Sequence, residues 1–470
     1  MAWVCRLGLL LALVLPAVGS SRPGIVVRLN RAVLDYVSDI GKAPLQRALQ
    51  VTVPHFWDRN GKELQLTRIQ IPDVQVPDLH LTFIAGMGIR VSAAANFTFR
   101  VFRSGPEPLE LKLPVELMAD ARVTQSSIRS PLVSISACIP SLDHGFLLDG
   151  HNSTAEDPLS HASSSSPPAL LPLQKHLKSV LRNKLCLSLA SLVQDLNVHL
   201  GTLIGLTPVG PESQIQYFMV GKPTVTNDYI ALDINAVLFL LGSPIVLAVN
   251  ATPFLPPQPV GAPGAMVTLC LSQDLFDSAL LLLQKAGALN LDVTGQLKSD
   301  ENPLNTSWLG QFIPEVTRQF PNPMPVVLKV RLGATPEATL GAGNATMRLQ
   351  PFVEVLVATS NSAFQSLFSM DVEVNLSLQL SVSKVKLRGF TSVLGDVQIT
   401  MTSSNVGFVD IDQVRLLMGP VFKKPLMNHL NALLGLGIAL PHMLNLKYVP
   451  PEVFIHEGYV VVSSGLFYER

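Results

Sequence analysis

The sequence predicts an α+β chain made of two divergent copies of one module. Three observations carry this. The stretch IRVSAAANFTFRVFR (89–103) alternates: Ile89, Val91, Ala93, Ala95, Phe97, Phe99 and Val101 share one face, and Arg90, Ser92, Ala94, Asn96, Thr98 and Arg100 the other. Side chains along a strand have a period of two, so this is a long strand with an apolar and a polar face, as in an antiparallel sheet covered on one side. The stretch NATPFLPPQPVGAPG (250–264) has no helix or strand pattern, and its prolines make it an extended linker. The order helix, long strands, apolar helix occurs once before that linker and again after it.

The N-terminus, MAWVCRLGLLLALVLPAVGSSRP, has Arg6, a short apolar run from Leu7 to Val14 and a small-residue site at Ala17 and Gly19. That pattern is a secretory signal peptide over 1–19. The run is shorter than the roughly 20 apolar residues of a membrane span. The next most apolar stretch, AVLFLLGSPIVLAV (236–249), is broken by Gly242, Ser243 and Pro244. The mature chain is therefore expected to be secreted, extracellular and without a transmembrane anchor.

The first module spans 20–249 and opens on a helix whose apolar stripe is Leu29, Val33, Tyr36, Val37 and Ile40. Pro44 interrupts or kinks it. Strands follow at LQLTRIQI, DVQVPDLHLTF, 89–103 and LELKLPVELMADARV, the last with Leu109, Leu111, Leu113, Val115 and Leu117 on one face. GHNSTAEDPLSHASSSSPP (150–168) is Ser-rich and polar and reads as a mobile surface loop. A long helix runs from about Leu171 to Leu203, carrying Leu177, Leu181, Leu192, Leu196 and Leu203.

The second module spans 265–470. SQDLFDSALLLLQKAGAL is a helix with Ser272 at its N-cap position. Strands return at MPVVLKVRL, MRLQPFVEVLVA, MDVEVNLSLQLSVSKVKL and VQITMT. An apolar helix, DQVRLLMGPVFKKPLMNHLNALLGLGIALP, follows, and GYVVVSSGLFY is a closing strand.

Secretion makes cysteines and sequons informative. Cys138, Cys186 and Cys270 remain after the signal peptide. A bridge from Cys138 to Cys186 would tie a strand to a helix and contribute about 4 kcal/mol through loop entropy. Cys270 is then left over, as a buried thiol or, alternatively, as one half of an intermolecular disulfide. N-x-S/T sequons at Asn96, Asn152, Asn250, Asn305, Asn344 and Asn375 describe a glycoprotein, with Pro253 disfavouring the Asn250 site.

Composition excludes some functions. Hydrophobic residues are 48% and charged residues 14%, and Lys+Arg equals Asp+Glu at 34 each. A zero balance is the wrong charge for a nucleic-acid binder. There is no G-x-S-x-G elbow, no H-E-x-x-H and no P-loop, and the ten histidines lack metal-ligand spacing. GMG at Gly86 and GLG at Gly435 read as turn and helix-end glycines. No enzyme activity, metal or cofactor is expected.

Two segments carry a family resemblance. RPGIVVRLNRAVLDY is similar to the opening of the bactericidal/permeability-increasing and lipopolysaccharide-binding proteins, and GQFIPEVTRQFPNPMPVVLKV resembles their second-domain segment. The central proline linker and the Cys138-to-Cys186 spacing also match. The chain is identified as a member of this BPI/LBP/PLUNC superfamily, in its two-domain family B branch. The resemblance implies that each module is a highly twisted antiparallel barrel with two helices, and that a central sheet joins the two into a boomerang. It also implies a phospholipid-like amphiphile held in each module by acyl-chain burial. The candidate lining residues are Leu29, Val33, Tyr36, Val37, Ile40, Leu192 and Leu196 in the first module. In the second they are Leu275, Phe276, Leu280, Leu426 and Leu430. From the residues alone, the same faces could simply bury each other as core.

Two alternatives stand beside this. One is innate-immune recognition of bacterial lipopolysaccharide through a basic tip. The matching stretch, FRVFRSGPEPLELK, sets Glu107 and Glu110 against Arg100 and Arg103, which predicts a mixed solvated surface. The other is a structural or surface-active secretory glycoprotein without lipid cargo. The relatives that transfer lipoprotein lipids close on an amphipathic lid helix, whereas GLFYER reads as a strand end, so fast neutral-lipid transfer is not expected.

Overall fold

The first element described is a strand, not the expected helix. In the computed structural model, residues 22–469 are described except 61–62, 103–107, 143–146, 149–170, 210–211, 242–245, 250–261, 295–303, 360–362 and 419–421. The expected signal peptide, the Ser-rich segment, most of the proline segment, Arg103, Glu107 and the sequons at Asn152 and Asn250 lie outside the described residues. Ile25–Asn30 is extended and buried from Ile25 to Arg28. It sits in a sheet between Val267–Ser272 and Tyr229–Leu240. The β-branched run Ile25, Val26, Val27 suits a strand flanked on both edges. Leu29 therefore belongs to this strand and not to the helix stripe expected of it.

The helix itself is Ala32–Leu49, and it continues through Pro44. Its buried positions are Val33, Leu34, Ser38, Leu45 and Leu49, so the covered stripe is rotated from the one read in the sequence. A helix-interior proline costs about 3 kcal/mol. Burying Leu45 and Leu49 beyond it returns about 1.5–3 kcal/mol each, which is enough to keep the helix intact.

By contact density the chain forms two compact units, Arg28–Thr202 with Gly221–Leu232, and Met1–Val27 with Leu203–Val220 and Asp233–Arg470. This division differs from the boundary expected at 250–264. The segments 203–220 and 233–249 go with the later part of the chain because Ser213–Met219 and Tyr229–Leu240 pair within one sheet, whose order also includes Val267–Ser272, Tyr459–Tyr468 and Leu446–His456.

The first unit carries a six-stranded sheet with Phe56–Asn60, Glu63–Ile84, Gly88–Phe102, Leu109–Gln125 and Pro131–Ser141 in order, each antiparallel to the next. The two strands expected at 64–71 and 73–83 are one 22-residue strand. Its register breaks between Gln70 and Asp73 and between Gln75 and Asp78. Pro72 and Pro77 fall in those gaps. Proline has no N–H to give a ladder, so the strand bulges there and continues. The apolar face is covered as the alternation requires, with Phe97, Phe99, Leu111 and Leu113 fully buried.

What covers that face is the helix Leu171–Gly201. Leu173, Leu177, Leu181, Leu185 and Leu189 form its buried stripe, in one core with the strand residues above and with Leu45 and Leu49. A spacing of four advances about 40° around the helix per step, so the stripe winds and follows the twist of the sheet.

The second unit repeats the plan. The 20-residue strand Phe364–Ser383 pairs with Pro351–Ala358 and Gln398–Ser404 along its first half, and with Ala345–Leu349 and Lys386–Val393 along its second. Three expected elements are divided here. Ala345–Leu349 and Pro351–Ala358 separate at Gln350, beside a proline. A turn with Lys384 at φ 58° separates Phe364–Ser383 from Lys386–Val393. The late helix is Ile411–Met418 and Lys424–Leu436, with Gly419 and Pro420 between them. The helix Gln273–Lys285 starts after Ser272, but the Ser272 hydroxyl makes no cap hydrogen bond. Its Oγ is buried without a partner.

Candidate functional site

An apolar cavity of about 70 Å³ lies in the second unit. The helix Gln273–Lys285 supplies Phe276, Ala279, Leu280 and Leu283. These positions fall at i, i+3, i+4 and i+7, so one helix face forms a wall. The end of Lys424–Leu436 supplies Leu433, Leu434 and Leu436, and Gly437 and Ile438 continue from it. Leu378 and Leu380, two residues apart on Phe364–Ser383, point to the same side, with Leu387, Arg388 and Gly389 on the neighbouring strand. Ala338, Met347 and Val209 complete the lining.

Two glycines shape this space. Gly389 pairs with Leu380, and a Cβ there would come within 3.2 Å of Leu378 Cδ1 and 3.4 Å of Leu434 Cβ. Gly437 ends the helix at φ 70°, where a side chain is strained. A Cβ on it would lie 2.7 Å from the Leu387 carbonyl oxygen and 2.9 Å from Arg388 Cγ. The chain can thus turn off the helix directly against the Arg388 stem. Arg388 is exposed and, among the described residues, is the one charged residue of the lining.

Of the second-module candidates, Phe276 and Leu280 line this cavity. Leu275 is buried elsewhere, and Leu426 and Leu430 lie in the main core one to two turns before the lining end of their helix. The strand residues Leu378, Leu380, Leu387 and Arg388 were missed, although the alternation in LSLQLSVSKVKLR places Leu378 and Leu380 on one face. The first-module candidates are spread out. Val33 is buried, Leu192 packs against the core, and Leu29, Tyr36 and Ile40 are half-buried. Val37 and Leu196 are 38% and 41% exposed. None of these seven lines the cavity above.

Two arginines on the polar face of the first unit are paired with carboxylates. Arg100 Nε lies 2.7 Å from Glu110 Oε1, and Arg90 Nε lies 2.8 Å from Asp120 Oδ1. Both pairs are cross-strand partners in register. Hydrogen bonding from Arg90 holds the Asp120 carboxyl below its ordinary value. In the second unit Arg348 pairs with Glu373 at 2.9 Å and lowers that carboxyl in the same way. Asp277 goes the other way, raised first by burial and then by Asp274.

Cys138 and Cys186 are joined by a disulfide that ties the strand Pro131–Ser141 to the long helix. Cys270 is a fully buried thiol on Val267–Ser272. Among the sequons, Asn96 and Asn344 are exposed and Asn375 is half-buried. Asn305 caps the short helix Thr306–Leu309, its side-chain oxygen accepting from Trp308 N. Among the described residues no helix is long and apolar enough to cross a membrane.

Comparison with known proteins agrees with this architecture. The N-terminal domain of the LBP / BPI / CETP family matches residues 33–196, and its C-terminal domain matches 208–468. The chain is 71% identical to BPI fold-containing family B member 2 of Homo sapiens over 469 residues, covering all of both chains. It is 59% identical to the Mus musculus protein of that name over 474 residues, again covering both completely. The crystal structure of a lipopolysaccharide binding protein superposes with a TM-score of 0.61 at 20% identity, over 96% of this chain and 100% of that one. With both domain types matched in order and a shared two-domain α+β fold, the chain belongs to the LBP / BPI / CETP family.

Proposed function

We propose that this chain is a secreted, glycosylated, non-catalytic protein that holds phospholipid-like amphiphiles by burying their acyl chains, one per module. The observation that carries the reading is the cavity of the second unit, lined by Phe276, Leu280, Leu378, Leu387 and Leu434 with Arg388 as its single charge. Each buried methylene contributes about 0.8 kcal/mol, so six of them supply about 5 kcal/mol without any directional bond. The cavity is smaller than the roughly 300–1,000 Å³ of a pocket for a whole small ligand. A diacyl lipid therefore enters by separating the helix Gln273–Lys285 from the strands, and a single chain segment fits first. For the first module the reading rests on the family relationship.

The test is native mass spectrometry of the deglycosylated protein secreted from animal cells, with extraction of bound lipid. About two amphiphiles per chain are expected, together with uptake of a fluorescent phospholipid. A bare-protein mass and no uptake would leave a sealed-core secretory glycoprotein instead. Lipopolysaccharide capture at the tip is disfavoured because Arg100 is already committed to Glu110.

A further inference from the structure

We propose that the second-unit pocket selects amphiphiles with a net anionic headgroup, held at its rim by Arg388 and Lys386. This rests on the lipid-binding reading above and adds the headgroup class to it. Arg388 lines the cavity and is exposed, so its stem borders the apolar space while its guanidinium reaches water. Lys386 is two residues earlier on the same strand and hence on the same face. Its Nζ lies 3.4 Å from the carbonyl oxygen of Leu436, itself a lining residue. Both cations thus stand at one rim.

What opposes them is uncharged. Lys386 pairs with Ser383 and Arg388 with Ser381 on the next strand. In the first unit the same geometry neutralises two arginines: Arg90 faces Asp120 and Arg100 faces Glu110 across their strands. Among the described residues neither Lys386 nor Arg388 is paired with a carboxylate. The composition agrees, since 374–395 and 413–451, which hold the strand and the helix end that form this rim, contain no Asp or Glu. In a chain of zero net charge, this is a local excess of positive charge beside an apolar opening. That combination fits an anion carried on an acyl chain. A zwitterionic headgroup carries its own cation and gains less.

The experiment uses the full chain and vesicles of matched acyl composition containing fluorescent phosphatidic acid or phosphatidylcholine. Wild type is expected to take up the anionic lipid about tenfold better, the scale of one charge-assisted contact. The double variant Lys386→Gln/Arg388→Gln should bring that ratio to about one. Ala279→Phe, with Leu283→Trp as a second pocket-filling variant, should abolish uptake of both lipids. Glycerol phosphate should not compete. A ratio near one in wild type, with uptake still blocked by the filled pocket, would overturn the headgroup assignment and leave the pocket standing. An unchanged ratio in the double variant would overturn the two residues. Anionic uptake that survives both pocket-filling variants, or yields to glycerol phosphate, would reduce the effect to surface charge and overturn it. No uptake of either lipid by wild type would remove the pocket reading and the proposal with it.

Discussion

Asn197 holds both backbone groups of Val133: its Nδ2 donates to the Val133 carbonyl and its Oδ1 accepts from the Val133 N–H, each at 2.8 Å. Val133 is on Pro131–Ser141, the edge strand of its sheet, and Asn197 is on the long helix that covers the core. The second unit repeats the device. Asn431 on Lys424–Leu436 accepts from Thr391 N at 2.7 Å and donates to Thr391 O at 3.1 Å. In each module one asparagine amide stands in for a missing strand and closes an exposed edge. Asn197→Asp removes the donor and sets a carboxylate against a carbonyl. The expected loss is about 1–3 kcal/mol, with Asn197→Ala at the lower end. Thermal unfolding of the two variants checks this, and an unchanged midpoint for Asp would refute it.

Gly437 should resist substitution more than Gly389. Gly437→Ala places a Cβ against the Leu387 carbonyl at φ 70°. Left-handed strain costs about 1–3 kcal/mol before the clash is counted. At Gly389 the neighbours are side-chain and helix-side carbons at 3.2 and 3.4 Å, which can give way. Gly389→Ala should therefore fold and lose acyl uptake, whereas Gly437→Ala should lose stability. Denaturation midpoints and lipid uptake separate the two effects.

The exposed arginine–carboxylate pairs predict an acid-side response. Arg348 lowers the Glu373 carboxyl and Arg90 lowers that of Asp120. A carboxyl depressed in the folded state favours folding above its unfolded pKa, and that contribution disappears as pH falls through the folded pKa. Asp277 has the opposite sign, because burial raises it. Its contribution is complete below the unfolded pKa and is lost as pH rises through the folded one. In Arg348→Met, carbon-detected NMR should find Glu373 titrating at higher pH than in the unsubstituted protein. An unmoved titration would show that the pair is not formed in solution.

The cysteines predict two separable chemistries. Cys138→Ser/Cys186→Ser opens a loop of 48 residues' separation, and the loop-entropy model puts the loss near 4 kcal/mol, i.e. about three decades in the unfolding constant. Cys270 should stay unreactive to a maleimide in native buffer and react fully in denaturant, because it is 0% exposed. Rapid native labelling would mean that the sheet around it opens.

The alternation of 89–101 and 109–117 determined by itself that these segments are one-faced strands, because a period of two admits no other regular structure. The repeat order determined the tandem α+β plan, and the two segments matching known relatives determined the family. Phe276 and Leu280 were legible as lining because their helix is amphipathic and short. Which leucines would be core and which would line a cavity was not legible. Leu173 to Leu189 and Leu426 to Leu430 look no different in composition from Leu378 and Leu434, and only the approach of helix to sheet separates them. Nor was the strand at Ile25–Asn30 legible: its partners lie some 200 residues away, and a six-residue apolar run fits helix or strand until they arrive. Local periodicity sets the face a side chain takes, whereas packing between distant segments decides what that face meets.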